Sequence, residues 1–553
     1  MVSGRGSRVV LETLLDCLLH PGWFAWGCKV GRVTNPMNSA KNSTDPAELF
    51  NLPEKGDPTA FIALLARAES AVGELASLLG PLAAAFAAEG ESLYLVGGPV
   101  RDAMLGRLGH DLDFTTSARP ETIKAILTEW GEAVWDTGIE FGTVSTVKQG
   151  QQVEVTTFRA DLYDGVTRNP EVTFGDTIEG DLVRRDFRAN AMAIELLPAS
   201  DGSATLKLDF HDPVDGLKDL LDRTLDTPQA PEVSFRDDPL RMLRAARFVS
   251  QLGFTVSPRV KQAMTDMAEE INRITVERIQ AELDKLMLGL QPWEGIDLLV
   301  ETGVADHILP EIPALKLERD EHMQHKDVYA HSLTVLRQAT ELEEEGPDLK
   351  LRWAALLHDI GKPDTRELKP GGGVSFHHHE VVGAKLTRKR MRKLKYPKHV
   401  IEDVGQLVYL HMRFHGFEEG QWTDSAVRRY VTDAGDLLPR LHKLVRADCT
   451  TRNQRKADRL RRAYDELEFR IDELAAQEEL DAMRPDLNGD QIIEMLGVKP
   501  GPIVGKAYKF LLDRRMDEGP LGEERARAEL LEWWAGQGEN PTNQHGQDDE
   551  QAK

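Results

Sequence analysis

The sequence of residues 93–114 is LYLVGGPVRDAMLGRLGHDLDF, which combines an apolar run, a glycine turn, a helix start and two spaced carboxylates. The run Leu93–Val96 predicts a buried strand, and Gly97 and Gly98 provide a tight turn. Pro99 suits the first turn of the helix that follows, where its missing N–H costs little. Because free backbone N–H groups at a helix start attract phosphate, this order predicts a phosphate-binding turn.

Two carboxylates follow the predicted helix on a strand. Asp111 and Asp113 alternate with the apolar Leu112 and Phe114, so both carboxylates leave the same face. Such a pair can hold two divalent ions about 3.5–4 Å apart, as in-line phosphoryl transfer requires. Each motif alone is more often a plain turn or a solvated strand end. Their order and tight spacing together favour metal-dependent chemistry on a nucleoside triphosphate.

Other polar residues could complete such a site. Glu154 is a single acid in the apolar strand VEVTTF and could add a third carboxylate, although a solvent-facing strand residue is an equal alternative. Arg184 and Arg185 precede a predicted helix that has Asp186 at its N-cap. Adjacent arginines can clamp a triphosphate or stabilise the charge that develops on the transferred group.

Asp238 and Arg241 lie three residues apart, so the sequence predicts that they share one helix face. A carboxylate accepts from an exocyclic amine while a guanidinium donates to a ring nitrogen, and cytosine and adenine both present these two groups side by side. Guanine and uracil present the reverse order, which would leave buried polar groups unpaired. The pair could therefore accept CTP and ATP and reject GTP and UTP. An ordinary salt bridge within the helix is the alternative.

A second set of possible metal ligands lies downstream. His331, His358, Asp359 and Asp448 lie on helical patterns far apart in the sequence, so they can converge only by folding. Histidine combined with carboxylate suits Mn, Fe, Ni or, less selectively, Mg. The sequence therefore predicts a second centre for a divalent transition metal or Mg²⁺. The three consecutive histidines at 377–379 could also bind adventitious metal.

Length, composition and charge limit the function classes. At 553 residues the chain suggests roughly three to four domains, and three cysteines cannot form a disulfide framework, which favours a reducing cytoplasm. No window approaches about 18 uncharged apolar residues, so we expect no membrane span. A net charge of −24 argues against coating nucleic acid by bulk electrostatics. Residues 385–398, KLTRKRMRKLKYPK, form a local basic segment that fits either a solvated helix face or a phosphate backbone contact.

The ordered motifs resemble those of bacterial class II tRNA nucleotidyltransferases, the CCA-adding enzymes of the DNA polymerase beta superfamily, over roughly residues 80–540. The resemblance implies that Asp111 and Asp113 are catalytic ligands of Mg²⁺. Segments 212–220 and 277–283 resemble the hinge motif and a helix that supports base reading. The base-reading motif usually begins with Glu, where this chain has Asp237. The implied nucleotide-binding residues are Gly98, Arg101, Arg184, Arg185, Asp186, Asn190, Asp238, Arg241, Arg244 and Arg247.

The downstream ligands resemble the H…HD…D pattern of the HD metal phosphohydrolase domain. His379 and His411 fall where extended versions of that domain carry extra histidines. Related enzymes with this domain can act on 2′,3′-cyclic or 2′-phosphate ends. The resemblance implies the same activity for this chain. A domain of this kind could also be kept for packing or for holding the RNA, without catalysis.

The predicted fold class is α+β, with a polymerase-beta-like head and mainly helical remaining domains. Helical periodicity at 60–90 leads into strand-like runs at 93–96, 111–115, 143–147 and 152–158, and helices are predicted from Asp186 onward. Met37 offers an alternative start. The predicted domains are a poorly ordered extension (1–55), the nucleotidyltransferase head (56–225), a helical neck that binds RNA and selects the base (226–320), the HD domain (321–465), a C-terminal helical region (466–535) and a disordered tail (536–553).

The resemblance implies template-independent addition of CMP and AMP to the 3′ end of tRNA by two-metal nucleotidyl transfer. The expected partners are tRNA, CTP and ATP, and the expected location is the cytoplasm. Poly(A) polymerase and enzymes that add only CC or only A are alternatives within the same family. An HD-type phosphohydrolase whose head only binds RNA is an alternative from another class. An RNA-binding scaffold without chemistry would leave two sets of metal ligands unexplained.

Overall fold

The structure is a computed structural model that describes most of the chain. The described residues are 49–50, 52–53, 59–159, 174–198, 206–316, 327–369, 374–414, 422–450, 453–478 and 484–537. Nearly all of the predicted N-terminal extension and tail lie outside these ranges. The predicted α+β class is confirmed, because a mixed sheet near the start of the described chain is followed by helices almost to its end.

A seven-stranded sheet forms the scaffold of the head. Its strand order is β3-β4-β5-β2-β1-β6-β7, with β2 and β5 parallel and the other neighbours antiparallel. The strands predicted at 93–96, 111–115, 143–147 and 152–158 are confirmed. The seven strands are β1 (Leu93–Val96), β2 (Asp111–Thr116), β3 (Ala133–Trp135), β4 (Thr143–Lys148), β5 (Gln151–Thr157), β6 (Ala193–Pro198) and β7 (Leu206–His211).

The two faces of this sheet have different surroundings. Leu112 and Phe114 of β2 lie in the main hydrophobic core with the head helices, whereas Asp111 and Asp113 project from the opposite face. The head helices are α1 (Ala60–Gly73), α2 (Ala76–Ala88), α3 (Gly98–Met104), α4 (Pro120–Trp130), α5 (Ile178–Val183) and α6 (Gly216–Asp222). No single described helix has the length and hydropathy to cross a bilayer, and α1 with α2 meets that test only as a pair bent by 85°.

The prediction of a helix from Asp186 is wrong. Residues 186–196 form a 3₁₀ turn at Arg188–Asn190 and then enter strand β6. Ala193 packs in a small cluster on one side of the sheet, and Ile194 packs in the main core on the other. A strand that is buried on both faces reads as a nearly continuous apolar run, which periodicity cannot distinguish from a buried helix.

The remaining described residues are mainly helical, with two short strand pairs, β8 with β9 and β10 with β11. The first group comprises α7 (Pro231–Asp237), α8 (Leu240–Leu252), α9 (Pro258–Asp266), α10 (Val276–Met287), α11 (Pro292–Glu301), α12 (Val304–Ile308), β8 (Thr224–Leu225) and β9 (Thr255–Val256). The second comprises α13 (Val328–Glu341), α14 (Leu349–Leu357), β10 (Glu367–Leu368), β11 (Val374–Ser375), α15 (His379–Lys393), α16 (Lys398–Leu410), α17 (Asp424–Ala434) and α18 (Leu438–Asp448). The last comprises α19 (Gln454–Glu478), α20 (Gly489–Leu496), α21 (Pro502–Glu518) and α22 (Glu523–Gly536).

A buried arginine joins the second helical group to the first. Arg352 of α14 donates to the backbone carbonyls of Met287 and Gly289, each at 2.6 Å, at the end of α10. Its guanidinium also pairs with Glu343 at 2.7 Å, and both side chains are about 5% exposed. These bonds satisfy carbonyls that the end of α10 leaves without a helical partner.

Gly216, in the hinge-like segment 212–220, packs closely against the Arg188–Asn190 turn of the head. A Cβ on Gly216 would lie 2.2 Å from the backbone oxygen of Arg188. We therefore expect Gly216→Ala to displace the Arg188–Asn190 turn and to lower the free energy of unfolding by about 1–3 kcal/mol. Thermal unfolding followed by circular dichroism measures this. Gly489→Ala is the control, because a Cβ there would meet nothing within 4 Å; equal losses in both variants would contradict the steric account.

Candidate active site and second metal centre

Three carboxylates lie on one face of the head sheet. Strands β2 and β5 pair in register, which sets Asp113 opposite Glu154 and Asp111 opposite Gln152. Partners in register project from the same face, so Asp111, Asp113 and Glu154 point to the same side. The structure thus brings the predicted third carboxylate next to the predicted pair. Glu154 also accepts a hydrogen bond from Ser145 at 3.3 Å.

The charges at this site repel one another. Partial desolvation raises the pKa of Asp113, the carboxylates of Glu154 and Asp111 raise it further, and Arg185 lowers it. A divalent cation would relieve this repulsion, so the donor set fits metal binding. The three carboxylates do not gather as closely as the histidines and carboxylates of the second centre, which form groups with all ligand atoms within 4.8 Å.

The two predicted triphosphate-binding arginines share one buried acid. Arg184 and Arg185 pair with Asp181 at 2.6 and 2.9 Å, and the Asp181 side chain is 0% exposed. Burial favours a raised pKa for Asp181, but the two arginines hold it below its usual value. Asp181 is not among the predicted site residues, although its spacing of three and four residues from the arginines is a helical signal. The arginines follow α5 and do not precede a helix, so that prediction is wrong.

The Arg185 guanidinium lies against Gly97, the residue that follows β1. The residue has a φ of +72°, and a Cβ there would lie 2.9 Å from Nη1 of Arg185. The backbone conformation favours glycine here, and the absence of a side chain leaves room for the guanidinium. Gly98 begins α3 and Pro99 lies in its first turn, as predicted.

Several predicted nucleotide-binding residues form one hydrogen-bonded network. Arg101 donates to Asn190 at 2.7 Å, Asn190 donates to Asp186 at 3.1 Å, and Arg244 donates to Asp186 at 2.8 and 2.5 Å. Burial alone would raise the pKa of Asp186, but Arg244 and Asn190 hold it well below its usual range. Asp186 is therefore not a helix N-cap but a buried anion that joins α3, the 3₁₀ turn and α8.

Arg247 extends the network towards α10. Its guanidinium lies 2.9 Å from Glu282 and stacks over Phe248 at 4.3 Å from the ring centroid. Burial lowers the pKa of Arg247 to about 10, and nearby Arg244 contributes to the shift. Glu282 lies in the segment that resembles the supporting helix, so the structure links that helix directly to α8.

Asp238 and Arg241 do not share a helix face. Asp238 has the extended backbone angles φ −142° and ψ 99° and ends α7, because the residue before Pro239 is disfavoured in helical conformation. Its carboxylate accepts from Leu240 N–H at 3.1 Å and pairs with Arg278 at 2.8 Å. These bonds place the acid at the start of α8. The predicted alternative, a salt bridge within one helix, is therefore wrong in its geometry.

Arg241 connects the segment that is predicted to read the base to the head. Its guanidinium donates to the Ser234 hydroxyl at 2.8 Å and to the backbone oxygen of Arg184 at 2.9 Å. Arg184 and Arg185 are adjacent, and Arg185 lies near Asp113. A continuous path therefore leads from the carboxylates, through the arginine pair, to Asp238 and Arg241.

Six residues converge at the second centre from five helices or helix ends. They form two groups: His331, His358 and Asp448, and Asp359, His379 and His411. Asp359 bridges the groups, because its Oδ2 lies 3.2 Å from Nε2 of His358 and its Oδ1 lies 3.3 Å from Nε2 of His379. His331 Nε2 lies 3.0 Å from Asp448 Oδ1. The four predicted ligands and both predicted extra histidines are thus together.

Backbone carbonyls orient three of these histidines. Nδ1 of His358, His379 and His411 lies 2.9, 2.8 and 2.6 Å from the carbonyl oxygens of Ala355, Phe376 and Val408. An Nδ1–H donated to a carbonyl leaves the Nε2 lone pair directed at the centre, as metal ligation requires. Burial lowers the pKa of His411 to about 3, and His358 lowers it as well, so His411 stays neutral.

The local sequence after His358 also shapes this centre. A Cβ on Gly361 would lie 2.2 Å from the carbonyl oxygen of His379, so only glycine allows α15 to approach. Lys362 Nζ lies 2.6 Å from Asp359 Oδ2. Of the three consecutive histidines, only His379 joins the centre, since His378 is exposed and has a φ of +62°.

The basic segment at 385–398 lies on α15 and the turn that follows. Three of its cations form ion pairs: Arg388 with Glu402, Arg390 with Glu311 and Lys395 with Glu277. The exposed remainder consists of Lys385, Lys389, Arg392, Lys393 and Lys398. Contact with RNA therefore stays a prediction for these five residues alone.

Comparison with known families assigns each of these regions. Residues 93–226 match the Poly A polymerase head domain, residues 253–315 match the probable RNA and SrmB-binding site of polymerase A, and residues 328–453 match the HD domain. The matched head includes the three carboxylates, and the matched HD domain includes all six residues of the second centre. A nucleotidyltransferase head of this kind uses divalent metal ions.

Similar proteins match along most of the chain. The A-adding tRNA nucleotidyltransferase of Deinococcus radiodurans is 33% identical over 451 residues, which cover 79% of this chain and 95% of the relative. The CC-adding tRNA nucleotidyltransferase of Thermus thermophilus is 31% identical over 450 residues, which cover 80% of this chain and 93% of the relative. Among solved structures, the CCA-adding enzyme of Bacillus stearothermophilus in complex with CTP has a TM-score of 0.58 at 27% identity, covering 82% of this chain and 96% of that one. The chain therefore belongs to the family of tRNA nucleotidyltransferases that includes the CCA-adding enzymes, and it is an enzyme with an HD domain.

Proposed function

We propose that the chain adds C, C and A in succession to the 3′ end of tRNA, using CTP and ATP without a nucleic-acid template. The observation that carries this proposal is the path from Asp113 through Arg185 and Arg184 to Arg241 and Asp238. Along this path, carboxylates that fit a metal, arginines that fit a triphosphate and an acid–arginine pair that fits a base follow one another in the order of a nucleoside triphosphate's parts, which supports the proposal. The relatives named above act on tRNA, which supports the choice of RNA.

Oxygen ligands favour Mg²⁺ in the head. Asp111, Asp113 and Glu154 offer only carboxylate oxygens, the ligand type that Mg²⁺ prefers. When bound there, Mg²⁺ ions lower the pKa of the RNA 3′-OH and neutralise charge on the triphosphate. Arg184 and Arg185 hold the phosphates, and the buried Asp181 fixes both guanidinium groups in advance. Preorganised charge of this kind costs no reorganisation at the moment of reaction.

Two properties of the base-reading pair favour the addition of both C and A. Cytosine and adenine present an amine beside an acceptor nitrogen, which matches the Asp238 carboxylate and the Arg241 guanidinium. A poly(A) polymerase would have to reject CTP, and nothing in the hydrogen-bond pattern of this pair does so. The relatives include A-adding and CC-adding enzymes, so product length decides between these alternatives. We place the reaction in the cytoplasm, where tRNA is available.

Replacing Arg241 with alanine tests the base-reading role. We expect the preference for CTP over UTP, measured as the ratio of kcat/KM values, to fall by about 10- to 150-fold, the value of a charged hydrogen bond of about 1.5–3 kcal/mol. Competition between labelled CTP and UTP on a tRNA that ends at the discriminator base measures this ratio. Arg236→Ala is the matched control, since Arg236 is exposed on the neighbouring α7. A preserved ratio in folded Arg241→Ala would assign base choice to other residues.

The second centre supports a second activity. We infer that it binds two divalent transition-metal ions and hydrolyses phosphate esters at RNA or nucleotide ends. The specific observation is that the two oxygens of Asp359 face separate ligand groups, each of which holds histidine nitrogens. Histidine-rich sites with carboxylates suit Mn, Fe, Co or Ni better than Mg. Lys362, close to Asp359, offers a positive charge for a phosphate ester.

A further inference from the structure

The sheet face that carries the catalytic carboxylates continues to an exposed tryptophan. The strand register aligns Asp113 with Glu154, Glu154 with Ser145, and Ser145 with Trp135. Partners in register share a face, so Trp135 projects on the same side as Asp113. Three strand spacings of about 4.8 Å separate the two residues by roughly 14 Å. Trp135 is 49% exposed, which is unusual for so large an apolar side chain.

A depression lies between Trp135 and the carboxylates. It has a volume of about 370 Å³ and is lined by Trp135, Ser145, Val147 and Gln152. Gln152 is opposite Asp111 in the strand register, and Val147 is opposite Gln152. Gln152 and Val147 therefore continue the row of side chains that starts at Asp111. Ser145 and Trp135 continue the row that starts at Asp113. Its lining carries no charge, which suits a nucleobase better than a phosphate.

The arginines lie on one side of the catalytic carboxylates and the depression lies on the other, which leaves the depression for the RNA. Strand β2 lies between β5, β4 and β3 on one side and β1 and β6 on the other. Arg185, which lies against Gly97 at the end of β1, and Arg241 beyond it occupy the second side. In phosphoryl transfer the attacking and leaving oxygens lie in line on opposite sides of the phosphorus. If the triphosphate approaches from the β1 side, the attacking 3′ end approaches from the side of Trp135.

We propose that Trp135 and this depression form a subsite in which a base at the 3′ end of the RNA stacks on the indole. The inference rests on the nucleotidyl transfer proposed above. Stacking suits this position because the terminal base changes as nucleotides are added, and every base has an aromatic face. A hydrogen-bonding pocket would accept only some of these ends. Trp135 is thus a positioning residue for the 3′ end, and Asp238 with Arg241 remains the reader of the incoming base.

A double-mutant cycle between the indole and the base tests this subsite. Wild type and Trp135→Ala are compared by filter binding, without NTP, on tRNA transcripts that lack CCA and carry either normal nucleotides or one abasic nucleotide. The abasic nucleotide is placed last in one transcript and second to last in another. We expect Trp135→Ala to weaken binding of normal tRNA by about 5- to 150-fold. An abasic nucleotide at the stacked position should weaken wild type similarly and Trp135→Ala hardly at all.

Two further variants separate stacking from a structural role. Trp135→Phe keeps an aromatic face and should bind normal tRNA within about threefold of wild type. Phe61→Ala removes an exposed aromatic side chain from α1 and should leave binding unchanged. In steady-state assays, Trp135→Ala should raise KM for tRNA and leave KM for CTP near its wild-type value.

The inference is overturned if an abasic nucleotide, at each of the two positions, weakens binding by the same factor in wild type and in Trp135→Ala. The indole and the base would then contribute independently to binding. A rise in KM for CTP with no change for tRNA would also overturn the inference, since the depression would then hold the incoming nucleotide. The binding cycle uses no NTP, so it reports on stacking even if wild type fails to transfer nucleotides. Such a failure would contradict the proposed function and not the subsite.

Discussion

Asp113→Asn is expected to reduce incorporation of CMP and AMP by about 10³-fold or more while the protein stays folded. The substitution preserves shape but removes a charged metal ligand, and a bound metal contributes several kcal/mol to transition-state stabilisation. Single-turnover incorporation of labelled CTP measures the loss. Since desolvation, followed by the neighbouring carboxylates, raises the pKa of Asp113, its charge opposes folding without metal. Thermal stability of the variant without metal should therefore equal or exceed that of wild type.

The control for this substitution is Asp209→Asn, which makes the same chemical change at an exposed carboxylate on β7 of the same sheet. We expect it to keep activity near the wild-type level. Incorporation at the wild-type rate by Asp113→Asn would contradict the proposal that Asp113 is a metal ligand in the head. Equal losses in both variants would show that the effect comes from the sheet and not from the ligand.

Asp359→Asn is expected to abolish phosphate-ester hydrolysis and tight metal binding at the second centre while nucleotide addition continues. Burial would raise the pKa of Asp359, but His358, His379 and Lys362 hold it well below its usual value. Its charge therefore stabilises the folded state at neutral pH, and that contribution is lost only as pH falls through the lowered pKa. Metal content by mass spectrometry, cleavage of a chromogenic phosphodiester and CTP incorporation provide the three readouts.

Two further variants distinguish the loss of a metal ligand from unfolding of the HD domain. His411→Ala removes a ligand from one group only, so we expect it to lose one of two bound ions. Asp448→Asn should do the same for the other group. A wild-type content of one ion, with no difference between these variants, would contradict the two-ion site. Loss of nucleotide addition in a folded Asp359→Asn protein would show that the two activities are not separable.

The head site could be predicted largely from sequence because its parts are local. The turn at Gly97 and Gly98 and the alternation of Asp111 with Asp113 are set by neighbouring residues, and the structure preserves both. The position of Asp238 was also readable, since Pro239 disfavours a helical conformation before it. This constraint overrides the helical spacing of Asp238 and Arg241, so the prediction from spacing alone is wrong.

Other features depend on contacts that no spacing reveals. Strand β6 was predicted as helix because burial on both faces hides the alternation that marks a strand. The bridging role of Asp359 arises only when α14, α15 and α16 pack together and bring His379 and His411 to its second oxygen. The row from Asp113 to Trp135 crosses four strands, and only the register of β3, β4 and β5 shows that these residues share a face.

One assay separates CCA addition from its alternatives. Wild type is given tRNA transcripts that end at the discriminator base, at C and at CC, each with one labelled NTP and then with all four. We expect CTP to extend the first transcript by two nucleotides and the second by one, and ATP to add a single nucleotide to the third. GTP and UTP should add none. Addition of only CC, of only A, or of a ladder of A residues would contradict the proposed addition of CCA.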